Sequence, residues 1–298
     1  MPEGSQEGLK YEVKGLVVQG GGPASNGVCV ASQLGFKTGF LTKLGNNTWS
    51  EISRMDFKRY HVEVDLVPQT SRAQPAVSMI QVNPKSGERT IFYSLENYSE
   101  MTPEEVPVEL IQRTKVILVD GYHPQAALKV LEIAKSSGIR SVIDIESTDA
   151  MTARQFIERA TDTVLPFATA KHLSGEEDPK KMLRFFRNWG SERIVITDGA
   201  RGSWGMENED EVIHQSSFPV SVVDTTGCGD SYHGAYATGF LWDLSFAQRI
   251  EFASWIAGRV AMAVGGRTNL PDLNQLFESH SFPLNKVILE KIKKKIKS

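Results

Sequence analysis

Seven consecutive residues, Asp224-Thr225-Thr226-Gly227-Cys228-Gly229-Asp230, have the types and spacing to do chemistry. An apolar, strand-like run over 218–223 leads into them and a helical pattern follows. Two glycines therefore sit where backbone N–H groups can approach a ligand at the positive end of a helix. That arrangement suits a phosphate or a developing oxyanion. Asp230 stands in the first helical turn beside those donors. A fixed negative charge would compete with a simply bound anion, so a proton-accepting role fits it better. An anion hole next to a base is the equipment for phosphoryl transfer to a hydroxyl. A lone Asp at a helix start merely complements the dipole. Gly227, Gly229 and Asp224 turn the reading toward catalysis.

Two further glycine turns and two single side chains accompany this stretch. Gly21-Gly22-Pro23-Ala24-Ser25-Asn26 precedes a helical pattern. Bare backbone there would let a polyol lie close, and the Asn26 amide can both donate to and accept from hydroxyls. By itself the stretch reads equally well as a helix start without a ligand. Thr197-Asp198-Gly199-Ala200-Arg201-Gly202 follows a buried strand, and in isolation is an ordinary strand-to-strand turn. At a helix N-terminus the Cys228 thiol should have a lowered pKa, opening it to oxidation or metal binding. The simpler reading makes its sulfur incidental, since only its N–H is needed. Arg89 could reach a phosphate or be an exposed strand residue; His233 receives no role.

The elements that must position these residues follow a β-α rhythm. Strands are expected over 116–119, 141–145, 162–165 and 193–197. Helices are expected from Pro124 to Gly138 and over 152–160, 168–174, 178–189, 229–242 and 246–264. Such alternation predicts a parallel sheet covered by helices on both sides. The stretch 76–94 breaks the rhythm and reads as a β-hairpin around Asn83-Pro84-Lys85-Ser86-Gly87. A further strand is expected over 11–19. The domains are then an α/β core over 20–72 and 96–298 and a β lid over 9–19 and 73–95. The lysine-rich end, 286–298, reads as a solvated terminal helix in preference to a membrane or partner element.

The 298 residues hold 33 Lys+Arg against 36 Asp+Glu, a formal net charge of -3. This near balance gives no electrostatic case for nucleic acid or an anionic membrane. Cys29 and Cys228, far apart in sequence, point to a reducing, cytoplasmic compartment, and the N-terminus lacks a signal-peptide core. The histidines and cysteines form no zinc-ligand spacing.

The 224–230 stretch resembles the D-T-x-G-A-G-D motif of the ribokinase-like (PfkB) carbohydrate kinases, with Cys228 where the family has Ala. The Gly21-Gly22…Asn26 stretch is similar to that family's G-G-x-x-x-N motif, and 197–202 to its nucleotide turn, T-x-G-x-x-G. The resemblance runs from about 11 to 276. It implies a three-layer α/β/α fold with a mostly parallel sheet and a small β lid, through which a homodimer could form. It implies ATP and Mg²⁺ as cofactors and a small sugar as substrate. Asp230 would be the base, and the backbone of Gly227, Cys228 and Gly229 the anion hole. Gly21, Gly22, Asn26 and Asp230 would contact the substrate. Thr197, Gly199, Gly202, Gly229 and Arg89 would contact the nucleotide. Asp224, Thr226 and Gly266 would border a monovalent cation such as K⁺.

The chain departs from the family pattern twice. Only twenty residues precede Gly21, which implies that the family's first core strand and its substrate carboxylate are missing through truncation or a misplaced start. The stretch 165–175 lacks the N-x-x-E motif that orients Mg²⁺. Two rival readings follow: a catalytically impaired sugar- or nucleotide-binding relative, and a nucleoside kinase.

Overall fold

The computed structural model describes residues 8–13, 15–83, 85–146, 149–208, 211–278 and 282–297. The chain opens with helix α1 (Pro23–Gln33), strand β1 (Thr38–Gly39), α2 (Thr48–Arg59) and β2 (Val62–Glu63). The hairpin β3 (Val77–Val82) and β4 (Arg89–Ser94) follows, then α3 (Val108–Gln112). The alternating region runs β5 (Val116–Asp120), α4 (Pro124–Ser136), β6 (Arg140–Asp144), α5 (Ala150–Ile157), β7 (Asp162–Pro166), α6 (Phe167–Ser174), α7 (Pro179–Arg187) and β8 (Arg193–Thr197). It closes with β9 (Ser203–Met206), β10 (Val212–Gln215), α8 (Cys228–Leu241), α9 (Phe246–Val260), α10 (Leu273–Glu278) and α11 (Lys286–Lys297).

The main sheet has six strands in the order β10-β9-β8-β7-β6-β5, with β5 to β8 parallel and β9 and β10 antiparallel. Side chains alternate across a strand, and here the alternation divides two cores. Ile117, Val119, Ile143, Leu165, Ile194 and Ile196 face the layer of α4, α5 and α7. Val142, Val164 and Val195 face the layer of α1, α8 and α9. This is the three-layer α/β/α architecture the β-α rhythm predicts. The tail also forms a helix. Ile288 and Ile292 of α11, four residues apart on one face, are fully buried in the second core, and its lysines line the outside.

Three local expectations are corrected. The described residues of 11–19 form no strand: Gly15 takes φ 81 and breaks the extended run, while Leu16 and Val18 stay 84% and 68% exposed. The lid sheet therefore consists of β3 and β4 alone, paired from Val77↔Ser94 to Val82↔Arg89. The run 218–223 joins no ladder. Pro219 has no N–H to give, and the Val223 N–H bonds to the Ala261 carbonyl of the turn after α9. That helix stops at Val260, short of the expected 264.

The layer that carries α1 and α8 is held by an unusually close crossing. A Cβ placed on Gly234 of α8 would fall inside the backbone of Gly27 of α1. Only two glycines let these helices come so near. A Gly234→Ala variant should lose about 1–3 kcal/mol of stability by overpacking. Gly21→Ala, where nothing lies within 4 Å of the added carbon, should stay within about 0.5 kcal/mol of wild type. Urea denaturation of the two variants measures the contrast.

Candidate active site

Gly227 sets the entry to α8. It occupies the left-handed region at φ 73, and a Cβ there would lie 2.6 Å from the Gly266 Cα. Only glycine meets both demands. Among the described residues, the N–H groups of Gly227, Gly229 and Asp230 find no protein acceptor, and that of Cys228 reaches the Thr225 carbonyl at a long 3.3 Å. Free amides at the start of a 14-residue helix form an electropositive cradle.

Asp224 is buried and staples this loop to the next one. Its Oδ1 accepts from the Thr226 N–H at 2.8 Å and its Oδ2 from the Gly265 N–H at 2.8 Å. The Thr226 hydroxyl is buried without a hydrogen-bond partner. Asp230 projects toward α1, where its Oδ2 accepts a 2.6 Å hydrogen bond from Asn26 Nδ2. Asn26 in turn accepts at Oδ1 from the Nε of Arg267, 2.7 Å away. Gly22 caps α1 at φ 96 and its carbonyl takes the Asn26 N–H, while Gly21 beside it is open on the side a Cβ would fill.

Carboxylates at the C-terminal ends of the parallel strands complete the site. Asp120, the last residue of β5, accepts from the Ala24 N–H at 3.1 Å and the Tyr122 N–H at 3.1 Å. Its register partner on β6 is Asp144, with Glu146 two residues on. Burial and the Asp230 charge raise the Asp144 carboxyl well above the usual carboxylate range. Burial and the same charge raise Glu146, with Arg89 pulling the other way. Burial likewise raises Asp120. Sequence reasoning singled out none of these three. The signal was present in two apolar strands that each end in an acid, V-I-L-V-D and S-V-I-D, because ligands of such sheets gather beyond the carboxyl ends of the strands.

His233, also given no role, is fully enclosed. Its Nδ1 lies 2.8 Å from the Gly229 carbonyl and 3.2 Å from Asp144 Oδ2, and its Nε2 lies 3.0 Å from the Val164 carbonyl. It pins the first turn of α8 to β7. Burial keeps its imidazole below the usual value against the pull of those carbonyls.

The lid reaches the same loop. Arg89 donates to the Thr225 hydroxyl at 3.1 Å, and Thr225 donates from both its N–H and its hydroxyl to the Gly87 carbonyl, at 3.1 and 3.0 Å. The Thr197–Gly202 turn leaves the same sheet edge, three strands from Asp120. It closes β8 onto β9 through Asp198 N–H to Gly202 carbonyl, 2.8 Å, and Gly202 N–H to Gly199 carbonyl, 3.0 Å.

One electrostatic expectation is overturned. Burial pushes the Cys228 thiol up to about 12, outweighing the nearby Arg89. The helix-end effect expected to lower it is weaker than desolvation here.

With this geometry established, comparison with known proteins defines the class. Residues 2–273 match the model of the pfkB family of carbohydrate kinases, and the chain belongs to that family. It is a phosphotransferase with an alcohol acceptor, of the sugar-kinase type. It is 29% identical over 262 residues to the bifunctional ribokinase/ribose-5-phosphate isomerase A of Fructilactobacillus sanfranciscensis, covering 85% of this chain. The chain spans only about half of that relative, 48%. It is 25% identical over 270 residues to the ribokinase of Staphylococcus aureus, covering 86% of each chain. The fold matches an Escherichia coli protein described as a ribokinase II, solved in complex with ATP and Mg²⁺, at TM-score 0.77. Identity there is 15%, over 98% of this chain and 95% of the other.

Two measurements test the local electrostatics. Cys228→Ala should keep activity within about threefold, since a thiol near 12 carries almost no thiolate at neutral pH; parallel rate assays check this. Burial lowers His123 to about 4 from an ordinary 6.5, where its ring stacks on Tyr98 with centroids 5.4 Å apart. The unfolded chain then binds a proton that the folded chain refuses. His123 therefore contributes stability above pH 6.5 that is lost as pH falls toward 4. Urea midpoints at pH 7 and pH 5 should fall less in His123→Gln than in wild type.

Proposed function

We propose that this chain transfers the γ-phosphoryl group of ATP to a hydroxyl of a small sugar. The observation that carries the reading is the set of free amides at Gly227, Gly229 and Asp230 beside an Asp230 carboxylate tied at one oxygen only, by Asn26. In this reading the acceptor hydroxyl gives its proton to Asp230 as its oxygen bonds to the γ-phosphorus. The bond to the bridging oxygen breaks, and ADP leaves. The amides of Gly227, Cys228 and Gly229 balance the charge that builds on the transferred group.

Other residues have supporting roles. Asp120, at the end of β5, is the carboxylate we assign to the substrate hydroxyls. It lies near enough to feel the Asp230 charge, and its oxygens are oriented by the Ala24 and Tyr122 amides. The Gly21-Gly22 backbone and Asn26 border the same space. Arg89 and the turn of Thr197, Gly199 and Gly202 serve the nucleotide. Mg²⁺ bound with ATP supplies neutralisation of the phosphate charge. Among the described residues no group of three or more acids, histidines or cysteines is placed to hold a bare metal ion. Glu146 and Asp144 fit a metal carried in by the nucleotide, reached through water. The unpartnered Thr226 hydroxyl fits a monovalent cation beside Asp224 and Gly266. Met79 and Phe92, register partners on one face of the lid and 65% and 51% exposed, are the surface we assign to homodimer formation.

An ADP-release assay over a panel of sugars and nucleosides tests the function. Asp230→Asn should lower kcat by about 10²–10⁴-fold with little change in KM. Turnover on nucleosides alone would favour the nucleoside reading, and no turnover with any acceptor would favour an impaired relative. Undiminished activity of Asp230→Asn would refute the base.

A further inference from the structure

Arg267 is a fully buried cation, 1% exposed, that no sequence motif brings into the reaction. Each of its three nitrogens is committed. Nε donates to Asn26 Oδ1 at 2.7 Å, one terminal nitrogen donates to Asp56 Oδ2, and the other donates to Ser25 Oγ. Its Cζ lies 5.5 Å from the Phe57 ring centre and 5.8 Å from that of Tyr60. The Tyr60 hydroxyl donates to the Arg267 carbonyl at 3.0 Å. Asp56 of α2 neutralises it and also takes the Gly20 N–H at 2.9 Å.

A guanidinium can only donate. The end of the Asn26 amide that meets Nε must therefore be the oxygen, whichever way the amide could otherwise turn. Nδ2 is then forced toward Asp230, and the 2.6 Å contact there is a donated hydrogen bond. We propose that Arg267 is a positioning residue for phosphoryl transfer: it locks the Asn26 amide in the one orientation that donates to Asp230. The lock fixes one carboxylate oxygen and leaves the other for the acceptor hydroxyl. Without it the amide can turn, set its oxygen against the carboxylate, and release the base from its aim. The inference rests on the kinase reading for its catalytic consequence, but not for the lock itself.

Arg267→Lys keeps a cation beside Asp56 while removing the Nε donor. The full-length variant should still unfold in one cooperative urea transition, and lose kcat by about 10–100-fold with KM for ATP and sugar changed less than threefold. Asn26→Ala should lower kcat comparably. Arg267→Lys should add nothing further in that background, because both act through one hydrogen bond. Equal kcat for Arg267→Lys and wild type, or independent and additive losses, would overturn the proposal while leaving the kinase reading intact. An NMR measurement tests the lock without turnover. The Asn26 side-chain amide, assigned by its absence in Asn26→Asp, should show slowly exchanging protons in the wild type and faster exchange in Arg267→Lys. Unchanged exchange would sink the lock even if both variants lost activity. A wild type with no turnover but with this exchange difference would sink only the kinase reading.

Discussion

The close contact of α1 with α8 is the constraint on which the site depends. Asn26 and Asp230 lie 204 positions apart in the sequence yet share a 2.6 Å hydrogen bond. That is possible only because Gly27 and Gly234 remove the side chains that would keep the two helices apart. Packing in this layer is thus tied to the Asn26–Asp230 hydrogen bond as well as to apolar burial. The aromatic and aliphatic side chains of α9, including Trp255 and Phe252, fill the remaining volume with full burial.

Charge is handled in the same economical way. Three acids, Asp120, Asp144 and Glu146, crowd the strand ends around Asp230, and desolvation raises all three. Backbone amides at Ala24 and Tyr122 compensate one of them, and His233 lies against another. The cations available nearby are Arg89, above the loop, and Arg267, below it. The concentration of acids matches a site that receives its positive charge together with a nucleotide. A cavity of about 680 Å³ at the opposite ends of the strands, lined by Arg193, Arg249 and Lys295, is different in kind. These three cations are already matched by Glu207, Asp162 and Asp243.

The glycine turn at 224–230 and the layer order were legible because each rests on local rules. Glycines flanking an acid at a helix start, and apolar strands alternating with amphipathic helices, have short-range signatures. What escaped was of longer range. Asp120 and Asp144 looked like ordinary strand ends until the sheet placed them side by side in register. Arg267 sits in a loop without pattern, and its partners come from α1 and α2. The strand expected over 11–19 failed because Gly15 turns to φ 81, a backbone break that the hydrophobic pattern does not report. The lowering expected for the Cys228 thiol failed because its burial, unlike its position on the helix, is not written in adjacent residues.

The hairpin and the amide cradle are joined through one threonine. Thr225 holds the Gly87 carbonyl with two donors and receives the guanidinium of Arg89. Swinging the hairpin away to admit a guest must therefore tug on the loop two residues before Gly227. An empty, gaping cleft would be one in which the cradle is also slack, and it would regain its shape only as the cover comes down. If the cleft holds a nucleotide as proposed, water that entered while the hairpin was displaced would meet an unfinished site.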